Sequence, residues 1–534
     1  MPCYDDLKYQ ASLYQQAAQS APTPESIARQ FEKGRMTVWQ RMEKLIDKNS
    51  EPLIFFQNWG TQLDGSSIVT AVIKIHGRDV AFYGHDFTLR AGSMDATNGR
   101  KLAWLFDHAR QQRIPIVGLN DSAGAFVPAG VGGLEGYAQA FAALRRCSGI
   151  VPSIMCMFGF NAGGGAYLPR QGSFLIQPKN TFIGLTGVSV VQSVLGEQIT
   201  ADALGGPNVH VKSGVVDYTV ENENDALLKV RELLRFLPSS CYELPAITKN
   251  TDDINRLTEE LDRWLKTAID SSTGFNTPID IGILIRALCD YGDYFEFQPA
   301  RARNTICAFA RMGGYLTGFI ANNSAVESGQ IDVAAAEKNT RFIRFCNLYN
   351  IPLIFIEDTT GFLPGSEQEQ LGVIQSGRMM LDAIVDVRTP RILLIVRNAF
   401  GGAFATYNNY STGANVVLAL PTARIAVMGA AGREFVYKKE IQTLRKTIAQ
   451  EAEQQKQLNN ADKQRWIAEE QTRREAQWIT QYENEFLNPR EALSLGSISE
   501  MVQPEHLRKT VAKHLIHLMQ HYIAGPMVGP QREF

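Results

Sequence analysis

No run of 18 apolar residues occurs in the chain, which excludes an apolar helix long enough to cross a bilayer. An excess of one charge is missing too. Fifty-three Lys and Arg stand against 55 Asp and Glu, a formal charge of −2. That balance argues against a nucleic-acid partner or a membrane surface. Cysteine is scarce and scattered: Cys3, Cys147, Cys156, Cys241, Cys289, Cys307 and Cys346 are odd in number and never spaced C-x-x-C. This excludes a zinc ribbon or a disulfide framework and fits reduced thiols in a bacterial cytoplasm or an organelle matrix. The opening MPCYDDLKYQASLYQQ has neither a basic n-region nor an apolar h-region, so no targeting segment is expected. There is no G-x-x-x-x-G-K-[ST], no H-E-x-x-H and no G-x-S-x-G, and the eight histidines do not cluster. Neither a hydrolase triad nor a metal is therefore expected.

What is present is a long chain of ordinary globular composition: 534 residues, 45% apolar and 20% charged. That length calls for two or more domains. An internal repeat divides it. "RIPIVGLNDSAG" from Arg113 to Gly124 reads like "NIPLIFIEDTTG" from Asn350 to Gly361, a shift of 237. The same shift carries Gly92 to Gly329, Asp95 to Asp332, Lys101 to Lys338, and Gly164, Gly165 and Ala166 to Gly401, Gly402 and Ala403. A gap-free register over about 75 residues, with a period too long for a solenoid, reads as two copies of one domain.

Each copy alternates strands and helices: an apolar strand and a Gly-rich stretch, then a helix (102–111, 340–349), then a buried strand ("IPIVGLN", "IPLIFIE"). A loop opening with Asp and Gly follows, then a second helix and another buried strand ("PSIMCMF", "RILLIVR"). This is an α/β pattern. Residues 1–50 read as helical and peripheral, and 218–300 as a charged, helix-rich connector. Residues 434–485, dense in Gln, Glu, Lys and Arg, read as a helical hairpin that turns at Asn459-Asn460, with Asp462 as a cap. The hairpin is either a plain solvated face or an arm for docking a partner. A compact helix and strand return over 486–502. Trp59 and Trp466 carry no reading beyond packing.

The Gly clusters lie after the C-terminal ends of strands, where open α/β sheets bind ligands. "NAGGGAY" (Asn161–Tyr167) and "FGGAF" (Phe400–Phe404) hold the same place in both copies. One cluster alone is explained by close helix–sheet packing. Two after equivalent strands point to exposed amides that hold a developing negative oxygen. "NDSAGAFVPAGVGGLEGY" from Asn120 reads either as a substrate-lining loop or as an ordinary Gly-rich one. "FIGLTGVSVVQSVLGEQIT" from Phe182 reads as a pocket wall or as core packing. His210 reads as structural rather than catalytic.

With these stretches in view, the sequence resembles the carboxyltransferase (β) subunits of biotin-dependent acyl-CoA carboxylases of the propionyl-CoA and methylcrotonyl-CoA type. The matching segments include "GRMTVWQRMEKLID", "HDFTLRAGSM", "NAGGGAYLP", "DTTGFLPGSEQEQLGVIQSG", "RNAFGGAF" and "PTARIAVMGAAG", in the family's order over roughly residues 30–510. The resemblance implies two tandem crotonase-like (ClpP/crotonase) α/β domains. Residues 1–250 would take the acyl-CoA, and 251–534, with the helical insertion near 434–485, would take biotin. It implies CO2 transfer from carboxybiotin on a partner (a biotin carboxylase or biotin carrier subunit) to the α-carbon, or a vinylogous carbon, of the acyl-CoA. No Met-Lys-Met attachment motif is present, so biotin arrives on that partner and acts as the base. By position, Gly163 and Gly164, with Gly165 through the repeat register, would hold the thioester enolate. Gly402 and Ala403 would hold the biotin ureido oxygen. Ala123, Gly124, Thr360, Gly361, Gly401 and Ala405 would line the substrates. A hexamer, a trimer of dimers, would build each site between two subunits.

Four departures from the family pattern stand out. Asn398 follows the Arg where the family often has Lys, and Thr359-Thr360 precede Gly361 where it often has Pro-Gly-Phe. The small Ala405 leaves room for an acyl group, and the 434–485 insertion is long. Glutaconyl-CoA decarboxylase carboxyltransferase subunits also carry a Thr-Thr-Gly, so decarboxylation onto biotin is the alternative direction. A hydratase is disfavoured because neither turn has a Glu within four residues. An inactive scaffold is disfavoured because both turns are intact.

Overall fold

The computed structural model describes residues 3–20, 23–56, 67–454 and 459–526; Trp59 lies outside them. Two sheets organise the chain. The first half contains β1 (Leu53–Phe55), β2 (Ile68–Ile75), β3 (Arg78–His85), β4 (Ile116–Asn120), β5 (Ser153–Met157), β6 (Phe160–Ala162), β7 (Phe174–Pro178), β8 (Phe182–Gly184) and β9 (Tyr218–Val220). Its main sheet runs β1-β2-β3-β4-β5-β7-β9, with β6 and β8 paired apart. The second half contains β10 (Tyr294–Phe297), β11 (Thr305–Met312), β12 (Tyr315–Asn322), β13 (Leu353–Thr359), β14 (Arg391–Phe400), β15 (Val416–Ala419), β16 (Arg424–Ala426) and β17 (Glu500–Met501). It runs β10-β11-β12-β13-β14-β15-β17, with β16 beside β14. In both, an antiparallel hairpin leads into a parallel sheet, and β4, β5, β13 and β14 are buried at every residue, as near-continuous apolar runs covered on both faces must be.

The 237-residue shift survives in the atoms. Ala81 pairs with Ile116 in one sheet and Gly318 with Leu353 in the other. Asp95 caps the helix Ala96–Gln112 by accepting from Asn98 N–H at 2.8 Å, and Asp332 caps Val333–Leu348 by accepting from Ala335 N–H at 2.7 Å. Each cap contributes about 1 kcal/mol and sets the helix start, which is why both helices begin six or more residues before the apolar pattern locates them. Lys101 and Lys338, both buried, donate to the carbonyls of Ile68 and Thr305. The duplicated domains expected from the sequence are present, down to individual hydrogen bonds.

The halves share one core. Phe174 of β7 lies 6.1, 6.2 and 4.9 Å, ring to ring, from Phe297, Phe309 and Phe345. Arg341 pairs with the buried Asp217 and donates to Ser173 O across the same seam. Removing the Phe174 ring would leave a cavity costing about 3–5 kcal/mol.

Four sequence expectations need correcting. The start of the chain is not wholly peripheral: the helix Val38–Leu45 buries Val38, Arg41, Met42 and Leu45, while residues 4–14 are exposed apart from the half-buried Ser12. Residues 218–300 are not a free connector. β9 extends the first sheet, Glu223–Phe236 packs on it, and β10 opens the second; charged surface residues masked the apolar face. The helix Val188–Leu195 has no buried residue, so core packing is the wrong reading of that helix, though Phe182 and Ile183 at the start of the same stretch are buried. The insertion does form a hairpin, of the helices Lys438–Gln454 and Asn460–Phe486. Its base is docked: Tyr482 Oη donates to Met428 O at 2.9 Å and packs with Phe400, Tyr437, Ile441 and Leu487.

Candidate active site

Both Gly-rich turns sit where a parallel strand ends and a short helix begins. In the first, Gly163 adopts φ +58°, a left-handed conformation suited to glycine, and the helix Gly164–Arg170 follows. Gly163 N–H donates to both Gly184 O and Leu185 O at 3.1 Å, and Gly163 O accepts from Ala166 and Tyr167 N–H. Gly163 therefore fastens the turn to β8, contrary to the expectation that its amide is open. The amides of Gly164 and Gly165 have no protein acceptor among the described residues, as the first N–H groups of a helix lack partners within it.

The second turn repeats this. β14 ends at Phe400, Gly401 adopts φ +60°, and the helix Gly401–Thr406 follows. The amides of Gly402 and Ala403 find no protein acceptor among the described residues, while Ala403 O and Gly402 O accept from Tyr407 N–H and Thr406 Oγ1, both at 2.8 Å. The left-handed glycines are Gly163 and Gly401, one position further apart than the surrounding motifs. Geometrically, then, Gly164 and Gly165 correspond to Gly402 and Ala403. A Cβ placed on Gly402 would meet only Phe362, at 3.8 Å.

A loop faces each turn. After β4, Asp121 and Ser122 are buried, Ala123 N–H donates to Ala91 O at 3.0 Å, and Gly124 (φ +102°) donates to Ser122 Oγ at 3.1 Å. After β13, Gly361 (φ +128°) donates to Thr359 Oγ1 at 3.1 Å, and Thr360 is exposed. The amides of Ala123, Gly124 and Gly361 thus hold loop shape. Ser122 N–H donates to Asn161 Oδ1 at 3.2 Å, tying the first loop to the first turn. Ala405 is exposed on the second helix.

Beneath the loops lie buried charges that pattern reading passed over. Asp121 pairs with Arg41 at 2.9 Å and with Arg35. At the register position in the second half, Asp358 pairs with Arg397 at 2.7 Å. The 237-residue register, applied to Asp121 and Asp358, was the signal available. Glu357 beside it is fully buried with no hydrogen-bond partner among the described residues; burial first, then Asp358, pushes its carboxyl well above the usual carboxylate range. Tyr137, also missed, lies under the first turn, and burial pushes its phenol up to about 12 against the opposing pull of its hydrogen bond to Ser122. His210 Nε2 lies 2.7 Å from Ile183 O and ties its helix to β8, the structural part read from sequence.

Each half thus ends in a turn with two helix-start amides that have no protein acceptor among the described residues. No group of three or more His, Cys, Asp or Glu placed to hold a metal occurs among the described residues. No helix among them is long and apolar enough to cross a membrane.

Comparison with known proteins agrees with this geometry. A family model described as a carboxyl transferase domain matches residues 29–527. The methylmalonyl-CoA decarboxylase subunit alpha of Veillonella parvula is 35% identical over 504 residues, 92% of each chain. The propionyl-CoA carboxylase beta chain of Roseobacter denitrificans is 34% identical over 512 residues, 94% of each. Among solved structures, transcarboxylase 12S, a hexamer described with methylmalonyl-coenzyme A and methylmalonic acid bound, superposes with a TM-score of 0.86 at 29% identity, over 100% of this chain and 98% of that one.

Proposed function

This chain belongs to the carboxyl transferase family, and we propose from that premise that it moves a carboxyl group between biotin carried on a partner protein and the α-carbon of a short acyl-CoA. The observation that carries the proposal is the pair of turns with unbonded amides, Gly164 with Gly165 and Gly402 with Ala403, at equivalent ends of duplicated sheets. In the first turn, the two amides would donate to the thioester oxygen as an enolate develops. In the second, the two amides, with Gly402 exposed, suit the oxygen of a biotin ureido ring. Carboxybiotin, when bound, supplies the CO2 and then a basic nitrogen. The chain's own contribution is to orient donors at two oxygens, where each donor typically contributes about 10²–10³ in rate. No side chain is needed as the acid or base.

The substrate class follows from the relatives, which act on propionyl-CoA and methylmalonyl-CoA by name. Both directions occur among them, and the half-reaction is the same when reversed. Carboxylation is the primary reading and decarboxylation of a carboxyacyl-CoA onto biotin is the second, the latter favoured by the decarboxylase subunit among the relatives. Each half presents one anion turn and the reaction uses two, so the turns of different subunits would face one another in a closed oligomer. In this reading residues 1–250 take the acyl-CoA and residues 251–534 take the biotin.

The test is to incubate the purified chain with carboxylated free biotin and acetyl-, propionyl- and butyryl-CoA, and separately with methylmalonyl-CoA and free biotin. Formation of methylmalonyl-CoA, or loss of it with carboxylation of biotin, is the expected result. No transfer in either direction, from a chain that sediments as an oligomer, would overturn the reading. A stable, active monomer would overturn the shared-site arrangement alone.

A further inference from the structure

One aromatic ring lies beneath each turn, but the two rings come from different elements. At two pairs of register positions the first half carries Ala125 and Tyr137, and the second carries Phe362 and Ile374. Tyr137 stands on the helix Val131–Cys147 and is 4% exposed. A Cβ built on Gly164 would lie 2.7 Å from three atoms of its ring, so that residue can be nothing but glycine while the ring is there. In the second half the corresponding Ile374 is 75% exposed. Phe362 fills the space from the loop instead, 3.8 Å from a Cβ placed on Gly402 and 3.1 Å from one on Gly377, which holds the register position of Ala140. Where the ring comes from the helix, the loop residue is Ala. Where it comes from the loop, the helix residue points away and the position one turn on is Gly.

The exchange preserves a ring but not a hydroxyl. Tyr137 Oη lies 3.5 Å from Ser122 Oγ, which accepts from Gly124 N–H at 3.1 Å, and 3.5 Å from the Cβ position of Gly165. It thus touches both the loop and the turn. In the second half the corresponding hydroxyl, Thr359 Oγ1, turns back to Gly361 alone.

We propose that Tyr137 is a positioning residue for the first turn. Its ring sets the height of the Gly164–Gly165 backbone, and its hydroxyl, through Ser122, sets the separation between that turn and the loop that follows β4. The second turn needs only the ring, because a rigid ureido ring brings its own planarity whereas a thioester must be held flat as its enolate forms. This rests on the reading of the first turn as the thioester site.

The test uses the full-length chain with propionyl-CoA and carboxylated free biotin. Tyr137→Phe keeps the ring and is expected to lower kcat about 5–10-fold, the effect of one lost hydrogen bond, leaving KM for carboxylated biotin unchanged. Tyr137→Leu is expected to lower kcat by about 10², again without a matching rise in KM for propionyl-CoA. The triple variant Ala125→Phe/Tyr137→Ile/Ala140→Gly copies the second half's arrangement, including the glycine that makes room for the ring. It is expected to recover the loss specific to Tyr137→Leu while keeping that of Tyr137→Phe. Thermal melts identify variants that fail to fold, and Tyr137→Phe keeps the proposal testable if Tyr137→Leu is one of them. Folded Tyr137 variants with wild-type kcat would overturn the proposal. Gly165→Pro separates the two readings: its activity is lost if the turn holds the enolate, whatever Tyr137 does, and retained if the turn has no such role.

Discussion

Arg397 Nη2 lies 2.7 Å from Asp358 Oδ2 with both side chains 1% exposed. The same guanidinium donates to Thr277 O at 2.8 Å and to Ser324 Oγ at 3.0 Å, and Asn398 N–H donates to Asp358 Oδ1 at 3.2 Å. Asp358 opens the second loop and Arg397 stands just before the second turn, so this pair fixes the two walls of that site against each other. In the first half Asp121 plays the same part, but its cations come from the N-terminal segment, as Arg35 and Arg41. Duplication kept the buried acid and let the counter-charge come from elsewhere.

Asp358→Ala is expected to destabilise the chain by about 3–5 kcal/mol, because Arg397 is left buried without its carboxylate. Urea unfolding measures this. Replacing both partners with apolar residues of similar volume should cost much less.

Asp121→Ala should act differently in space. It frees Arg35 and Arg41, which hold the segment 35–45 on the first domain through this acid and Glu223. Hydrogen exchange of Val38–Leu45 should quicken more than that of β13 or β14. Uniform change across the chain would mean the clamp is not local.

Gly402→Pro removes an amide that has no acceptor among the described residues. Turnover with carboxylated biotin should fall by about 10² or more while the melting temperature shows whether the turn persists. His210→Ala loses only the contact to Ile183 O and should keep most activity. A folded Gly402→Pro enzyme of normal activity beside an inactive His210→Ala would refute the backbone mechanism.

His85 predicts an acid limb of stability. Burial lowers its pKa from the ordinary 6.5 to about 4, against the smaller opposing effect of Leu119 O. The folded state therefore keeps the ring neutral while the unfolded chain takes up a proton first. The contribution is fully present above pH 6.5 and is lost as pH falls through about 4, a total of about 3 kcal/mol. His85→Asn, which copies Asn322 at the register position, should flatten stability between pH 6.5 and 4 in denaturant titrations.

Periodicity and the repeat made much of the fold legible. "IPIVGLN" and "IPLIFIE" are apolar at nearly every position, and such runs have one comfortable place, inside a covered parallel sheet. The 237-residue shift carried Asp95 to Asp332 and Gly124 to Gly361, and those caps and turns hold in the atoms. Residues 218–300 were misread because surface charge outnumbers the apolar face of Glu223–Phe236, and only contact with the first sheet identifies that face.

Glycine content, spacing and duplication in the sequence alone determined that each half ends a buried strand in a bare turn, because glycine takes a positive φ without strain and leaves room for a close ring. They did not determine which amides are open. That depended on the end of β8 and the residue after it, where the Gly184 and Leu185 carbonyls take up the Gly163 N–H and leave those of Gly164 and Gly165. Nor did they determine that Tyr137 and Phe362 fill equivalent spaces from different elements. A hydrogen bond is consumed, and a space filled, by whatever the tertiary structure brings near, and proximity across twenty or two hundred residues leaves no periodic trace in the chain.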